Sequence, residues 1–211
     1  MRGKFITFEG IDGSGKSTQL RMLASELRLL GYDVLTTREP GGTPLGRRLR
    51  EAFLETEETV APLAELLLFA ADRAQHVSFL VKPALEQGKI VISDRYADAT
   101  AAYQGAGRGF DEETVKQVIE LATDALKPNL TLFFDIPVNI AISRTTSRSV
   151  DGEKKNRMDS ETIEFYERVR RAYLKIAENE PVRFRIVDAS GAIDEIKKQV
   201  LESVTEFLKK N

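Results

Sequence analysis

The chain has 211 residues, with 31 Lys and Arg against 33 Asp and Glu, which gives a net charge of −2. Hydrophobic residues make up 42% and charged residues 30%, a mixture that excludes a disordered or collagen-like chain. The absence of Cys and the single His exclude disulfides, thiol nucleophiles, thiolate metal sites and multi-histidine metal sites. Catalytic chemistry must therefore come from carboxylates, Lys, Arg, hydroxyls and backbone amides.

The same features set expectations about location and partners. No uncharged apolar run approaches the ~18 residues that a membrane span needs. The segment before Glu9 is also too short for a signal-peptide core. We therefore expect a cytoplasmic protein with one domain over residues 1–211 and no membrane partner. A near-neutral chain has no global field for nucleic acid, so no nucleic-acid partner is expected.

Five short apolar runs predict buried β-strands, because they are strand-length and apolar throughout. In chain order these predicted strands are Phe5–Phe8, Val34–Thr36, Ile90–Ser93, Leu130–Phe134 and Phe184–Val187.

Helical periodicity fills most of the sequence between and after these strands. The predicted helices cover residues 19–30, 62–86, 111–126, 137–147, 160–178 and 192–209. Apolar strands that alternate with helices indicate a parallel sheet covered on both faces. The predicted fold is an α/β three-layer sandwich with a five-stranded parallel sheet.

The stretch from Ser143 to Asp159 departs from this pattern, since it is rich in Arg and Lys and nearly devoid of apolar residues. Such a segment cannot bury itself in a core. We predict a mobile surface loop over about 143–159, the position of a lid.

The loop after the first strand matches the pattern G-x-x-x-x-G-K-[ST] in full, with the sequence Gly-Ile-Asp-Gly-Ser-Gly-Lys-Ser at residues 10–17. Its glycines allow successive N–H groups to point at one anion, and the following helix adds its positive N-terminal end. Lys16 would reach the β- and γ-phosphates, and the Ser17 hydroxyl would be a ligand for Mg²⁺. The predicted ATP-binding residues on this loop are Gly10, Ile11, Asp12, Gly13, Ser14, Gly15, Lys16, Ser17 and Thr18.

This loop is a nucleotide-binding P-loop, so the predicted fold is of the P-loop NTPase type. A P-loop identifies the phosphoryl donor but does not identify the acceptor. The N-K-x-D motif of GTPase switches does not occur in this sequence, and an ATPase motor is usually larger. A small chain with an Arg-rich lid favours a kinase for a small acceptor, in which the lid closes over the phosphates.

Further distinctive segments are Phe8-Glu9-Gly10, Thr37–Gly42, Leu68–Arg73, Asp94-Arg95-Tyr96, Ala102–Gly105 with Gly107–Gly109, and Pro128–Leu132. Together these segments resemble the thymidylate kinase family of the bacterial type, over essentially the whole chain. The resemblance implies transfer of a phosphoryl group from MgATP to dTMP, in dTTP biosynthesis, by a homodimer.

The resemblance also implies a site for the base of dTMP. Phe69 would stack on thymine, and Arg73 would donate to the pyrimidine O4. The four-residue spacing of these two side chains places them on one face of a helix. Cytosine has an amino donor where thymine has O4, so we expect Arg73 to reject dCMP. By the same resemblance, Thr100 and Gln104 hydrogen-bond the base.

The remaining acceptor residues also follow from the resemblance. Arg95, at the carboxyl end of the third strand, would clamp the phosphate of dTMP, and Arg38 would be a second phosphate contact. Asp94 would hold Mg²⁺ through water. Tyr103 would crowd the sugar 2′ position, and Glu39 belongs to the implied substrate site.

No general base is needed, because a phosphate monoester oxygen is already anionic near neutral pH. Lys16 and Arg95 would supply charge together with Mg²⁺ and a lid arginine. Some relatives carry an arginine inside the P-loop, whereas this chain has Asp12 there. The resemblance then assigns the catalytic cation to the lid, with Arg157 and Arg148 as candidates.

Two further predictions concern the adenine of ATP. Arg144, at the start of the lid segment, would stack on the adenine, and residues 188–190, after the last strand, would line the pocket for this base.

Two other functions stay open on the residues alone. A deoxynucleoside kinase would use Glu39 as a base for a 5′-hydroxyl, although a charged acceptor suits Arg38 and Arg95 better. A P-loop ATP-binding regulatory module would hydrolyse ATP slowly whether or not an acceptor is present.

Overall fold

The structure is a computed structural model that describes residues 3–150 and 157–210, without the side chains of residues 147–150 and 159. Its centre is a five-stranded sheet, all parallel, in the order β2-β3-β1-β4-β5. The strands are β1 (Lys4–Glu9), β2 (Val34–Arg38), β3 (Ile90–Asp94), β4 (Leu130–Asp135) and β5 (Phe184–Asp188). All five predicted strands are therefore confirmed, each extended by one or two residues.

Helices cover both faces of this sheet. They are α1 (Lys16–Leu29), α2 (Pro44–Leu54), α3 (Pro62–His76), α4 (Lys82–Glu86), α5 (Ala97–Thr100), α6 (Glu112–Thr123), α7 (Val138–Val150), α8 (Ile163–Asn179) and α9 (Ile193–Lys210). A π-helical turn, Val77–Val81, joins α3 to α4, a second one, Ala101–Gly107, continues α5, and Arg157–Ser160 forms a 3₁₀ turn.

Side chains at successive positions along a strand belong to different hydrophobic clusters. Phe5 and Val91 belong to one hydrophobic cluster, whereas Ile6 and Ile92 belong to the other. Successive side chains on a strand point to opposite faces. The two clusters therefore lie on the two faces of the sheet, as the predicted α/β sandwich requires.

The sequence prediction is wrong for part of the segment 143–159. Residues up to Val150 continue α7, and the side chains of Thr145 and Thr146 donate to the backbone carbonyl of Ile142. A lack of apolar residues prevents burial, but it does not prevent a helix, because Arg is a good helix former and Ser and Thr are tolerated. Residues 151–156 lie outside the described part of the chain.

Helix α2 was not predicted, although its start carries recognisable signals. Thr43 caps the helix by accepting a hydrogen bond from Gly46 N at 3.0 Å, and Pro44 occupies the first turn. This helix contributes to the site described next.

The sheet places the carboxyl ends of β1 and β3 side by side. Their register pairs Phe8 with Asp94, and the backbone N–H of Arg95 donates to Phe8 O at 2.9 Å. The P-loop after β1 therefore starts beside the Asp94-Arg95 pair after β3. Open parallel sheets bind ligands at this edge.

Candidate active site

The P-loop has the backbone shape that the motif requires. Gly10, Gly13 and Gly15 have φ values of 140°, 86° and 86°, in a region that side-chain-bearing residues rarely adopt. A Cβ on Gly13 would lie 2.3 Å from the carbonyl oxygen of Ala141, so this position has no room for a side chain. Helix α1 begins at Lys16, which brings its positive N-terminal end to the loop.

The side chain of Lys16 lies across this loop. Its Nζ donates to Ile11 O at 2.9 Å and contacts Ser14 Oγ at 3.4 Å. Burial, together with the nearby Arg95 cation, lowers the pKa of Lys16 to about 8. An anionic ligand in the loop would favour the charged form, because it adds an opposite charge beside the ammonium group.

Ser17 and Asp94, the two residues that were predicted to hold Mg²⁺, are in contact with each other. Ser17 Oγ donates to Asp94 Oδ2 at 2.5 Å, which joins the start of α1 to the end of β3. Among the described residues no group of three or more acidic or His side chains could hold a metal ion. A hydroxyl and one carboxylate still fit Mg²⁺, which keeps several waters and takes phosphate oxygens from its substrates.

The predicted adenine contacts also lie together. Arg144 on α7 donates to Ala189 O at 3.0 Å, directly after β5. Thr18 lies in the first turn of α1, where its N–H donates to Gly15 O. The side chain of Arg148 lies outside the described part of the chain, so its predicted role stays a prediction.

A cleft beside the P-loop contains most of the predicted acceptor residues. The cleft opens to solvent. Asp12 and Glu39 also line it. The predicted dTMP contacts that line the cleft are Phe69, Arg73, Arg95, Thr100, Tyr103 and Gln104.

Arg95 stands between the P-loop and this cleft. Its Nη2 donates to Asp12 Oδ1 at 2.9 Å and to Tyr103 OH at 3.0 Å, and its guanidinium carbon lies 4.7 Å from the centre of the Tyr103 ring. Burial would raise the pKa of Asp12, but the cations of Arg95 and Lys16 outweigh it and lower this pKa. A negative Asp12 thus holds Arg95 at the boundary between donor and acceptor.

Arg73 is held rigidly at the end of the cleft. It is 2% exposed and donates to Glu39 Oε2 at 2.7 Å, to Thr100 Oγ1 at 2.7 Å and to Tyr96 O at 2.9 Å. These bonds use three of the five N–H groups of a guanidinium, so two remain for a ligand. Phe69, one turn earlier on α3, packs edge-on against Phe53 of α2 with ring centres 4.9 Å apart.

Glu39 has both carboxylate oxygens engaged. Oε2 accepts from Arg73, and Oε1 pairs with His76 Nδ1 at 2.7 Å. Burial alone would raise the pKa of Glu39, but the Arg73 cation and the hydrogen bond from His76 lower it below its ordinary value. Glu39 therefore positions Arg73 and is a weak base.

Neither Arg38 nor Arg157 is among the described residues that line the cleft. Arg38 is exposed and is not among the residues that line the cleft in the described part of the chain. Arg157 donates from Nη2 to the buried Glu65 at 2.6 Å and from Nε to Phe53 O at 3.3 Å. Their predicted roles in phosphate binding and catalysis stay predictions.

Sequence reasoning missed Arg50 and Glu65. Arg50, on α2, lines the cleft, and burial and the neighbouring Arg38 cation lower its pKa. The capped start of α2 was the available signal for Arg50. Glu65 is fully buried beneath the cleft, and no local pattern distinguishes it from a surface residue on an amphipathic helix.

Comparisons with known proteins agree with this geometry. The family model described as thymidylate kinase matches residues 8–200. A thymidylate kinase of Pelobacter propionicus is 45% identical over 207 residues, covering 97% of this chain and 94% of that protein. A thymidylate kinase of a Sulfurihydrogenibium species is 48% identical over 205 residues, covering 97% of this chain and 98% of that protein.

The fold is also shared with a solved thymidylate kinase. The crystal structure of the enzyme from Ehrlichia chaffeensis has a TM-score of 0.79 and 36% identity, and the match covers 97% of this chain and all of that one. The predicted P-loop fold and the resemblance to the family are thus confirmed. The chain belongs to the thymidylate kinase family.

Proposed function

We propose that this chain transfers the γ-phosphoryl group of ATP to dTMP, with Mg²⁺ as cofactor, and so forms dTDP and ADP in dTTP biosynthesis. One observation carries the proposal. The P-loop and the acceptor cleft open at the ends of two adjacent strands, and Arg95 lies between them. An acceptor phosphate in the cleft would therefore face the last phosphate of a nucleotide in the loop.

On the donor side, the backbone N–H groups of the P-loop would bind the phosphates of ATP. Lys16 would exchange its bonds to Ile11 and Ser14 for phosphate oxygens, which gain more from a cation than a neutral carbonyl does. Ser17 and Asp94 would hold Mg²⁺, which neutralises charge on the phosphates when bound.

On the acceptor side, Arg95 would bind the phosphate of dTMP in line with ATP. Its fixed position supports this role, because alignment supplies most of the catalysis in phosphoryl transfer. The acceptor oxygen is anionic near neutral pH and needs no base. The additional cation would come from Arg157 or Arg148, beside the lid.

The base would lie between Phe69 and the polar end of the cleft. The two remaining N–H groups of Arg73 support a contact with O4, and Thr100 and Gln104 lie beside it. Tyr103 would crowd the 2′ position of the sugar and favour deoxyribose. Rigid donors discriminate well, since a wrong base leaves them unpaired.

The deoxynucleoside kinase alternative is not favoured. It needs Glu39 as a free base, whereas Glu39 is ionised and bound to both Arg73 and His76. A regulatory ATP-binding module is not favoured either, because it gives no reason for the buried Arg73–Thr100 arrangement in a cleft beside the P-loop.

A coupled assay of ADP release tests the proposed function, with MgATP and dTMP, dUMP, dCMP or thymidine in turn. We expect strong release with dTMP and values near background with dCMP and thymidine. Release driven by thymidine would favour the nucleoside kinase. ADP release at the same rate with every acceptor would support only ATP binding and slow hydrolysis at the P-loop.

We also propose that the chain forms a homodimer in the cytoplasm. Leu63 and Leu67, one turn apart on α3, are 56% and 52% exposed, and this supports a covered face on that helix. Sedimentation at micromolar concentration should give twice the monomer mass. No described helix is long and apolar enough to cross a membrane.

A further inference from the structure

A buried carboxylate lies beneath the base end of the cleft, and none of the steps above uses it. Glu65 of α3 has no exposed surface and accepts hydrogen bonds from three side chains of two other segments. Gln104 Nε2 donates at 2.8 Å, Arg157 Nη2 at 2.6 Å, and Arg108 donates from Nε and Nη2 at 3.0 Å each.

The two arginines keep this carboxylate negative. Burial would raise the pKa of Glu65, but the hydrogen bonds from Arg108, Gln104 and Arg157 outweigh burial and lower it. An ionised carboxylate has no proton to donate, so it can only accept hydrogen bonds.

That property fixes the orientation of the Gln104 side chain. A glutamine amide has an NH₂ donor on one side and a carbonyl acceptor on the other. Because Glu65 only accepts, the NH₂ group of Gln104 must face it. Gln104 is 2% exposed and lines the cleft, so Oε1 is the atom that it can offer to a ligand there.

We propose that Glu65 is a positioning residue that sets the hydrogen-bond pattern of the base pocket through Gln104. With Glu65 in place, the pocket has an acceptor on Gln104 and donors on Arg73. This pattern fits a pyrimidine whose ring N–H lies beside a carbonyl group. It opposes cytosine, which has an acceptor ring nitrogen beside an amino group. The inference rests on the proposed function and adds a residue that does not itself touch the substrate.

The substitution Glu65→Gln tests this role, because it keeps the shape and introduces an NH₂ donor. The Gln104 amide could then turn its NH₂ group toward the cleft. The readout is kcat/KM for dTMP divided by kcat/KM for dCMP, a ratio that does not depend on the fraction of folded enzyme. We expect it to fall at least about tenfold, the effect of one unmatched buried hydrogen bond.

Glu161→Gln is the matched control. Glu161 accepts from the same Arg108 at 2.6 Å, and its bonds do not include Gln104. This variant also removes a negative charge from the arginine cluster, yet it leaves Glu65 to hold the Gln104 amide. The dTMP to dCMP ratio should stay within about twofold of the unmodified chain, as for an ordinary surface substitution.

A double variant, Glu65→Gln with Gln104→Glu, provides the rescue. In this double variant the carboxylate is at position 104, beside the cleft, where it can only accept a hydrogen bond. The amide is at position 65, behind it, and can donate to that carboxylate. Selection for dTMP over dCMP should recover to within about threefold of the unmodified chain, because the acceptor in the pocket is restored.

The results that would overturn the role of Glu65 are specific. An unchanged ratio in Glu65→Gln, an equal fall in Glu161→Gln, or no recovery in the double variant would each do so. If the unmodified chain fails to phosphorylate dTMP, the proposed function is overturned instead. The two failures are therefore distinguishable in one set of assays.

Discussion

The P-loop and the acceptor cleft lie at neighbouring strand ends, yet they are built in different ways. The loop consists of eight consecutive residues, and its shape comes from the backbone angles of Gly10, Gly13 and Gly15. The cleft is built from side chains that the fold brings together, and buried groups such as Glu39 and Glu65 orient the side chains that face the ligand. A site made of backbone is specified locally, whereas a site made of side chains depends on partners distant in sequence.

The largest expected effect is at Lys16, and it distinguishes the role of the P-loop from that of the acceptor cleft. Lys16→Met should lower kcat by about a hundredfold to a thousandfold, since it removes a preorganised cation from the transferring phosphoryl group. Binding of dTMP should change little, because the cleft does not depend on this side chain. Steady-state kinetics and dTMP calorimetry together check the prediction. A comparable loss of dTMP affinity would show that the acceptor cleft depends on Lys16 of the P-loop.

The second prediction tests the acceptor side at Arg95. Arg95→Ala should lower kcat/KM for dTMP by about a hundredfold, as expected for the loss of a charge-assisted contact to phosphate. The variant should also bind dTMP and thymidine with similar affinity, because the phosphate no longer contributes. Calorimetry with both ligands measures this difference. A preserved preference for dTMP would assign the phosphate contact to Arg38 or Arg50.

The third prediction compares two glycines with the same backbone angle. Gly13 and Gly31 have φ values of 86° and 89°, but a Cβ on Gly31 would meet no atom within 4 Å, whereas one on Gly13 would strike Ala141 O. Gly31→Ala should lower the free energy of unfolding by about 1 kcal/mol, the cost of the left-handed conformation. Gly13→Ala should lower it further and also weaken ATP binding. Urea unfolding of both variants checks this, and equal losses would contradict a steric role for Gly13.

The last prediction concerns Glu9, whose effect on stability depends on pH. Its carboxylate accepts from Tyr96 N and from Tyr173 OH, both at 2.7 Å. Burial, followed by the nearby Asp98 charge, raises the pKa of Glu9 from 4.5 to about 8. The folded state therefore favours the protonated form, and this stabilisation, complete below pH 4.5, is lost as the pH rises toward about 8.

Glu9→Gln should remove this pH dependence. The free energy of unfolding of the variant should rise relative to the unmodified chain as the pH increases from about 5 to about 8.5. Urea unfolding at a series of pH values measures the difference. Parallel curves for the two proteins would show that Glu9 titrates near its ordinary pKa.

The same contrast explains which features the sequence predicted. The five strands and the P-loop were predicted correctly, because apolar runs and glycine spacing act within a few residues. The segment after Ser143 was not, since its polar composition concealed a continuing helix. Glu65 could not be identified at all, because its three partners come from segments that only the fold brings together.

The predicted contacts to the base could be identified only in part from the sequence. The spacing of Phe69 and Arg73 placed them on one helical face, but the resemblance to known kinases supplied their roles. The buried partners that orient Arg73 come from three places in the chain: Glu39 follows β2, Tyr96 follows β3, and Thr100 ends α5. No pattern within the sequence of α3 indicates them.

The pairing of Phe8 with Asp94 sets the distance between the P-loop, which follows β1, and Arg95, which follows β3. Adjacent strands lie about 4.8 Å apart, so backbone hydrogen bonds would fix the separation of the two phosphates that these groups bind. A shift of one residue between β1 and β3 would turn Arg95 to the opposite face of the sheet. Insertions within either strand should therefore abolish turnover even if the chain still folds, whereas insertions at the amino ends of the same strands should be tolerated.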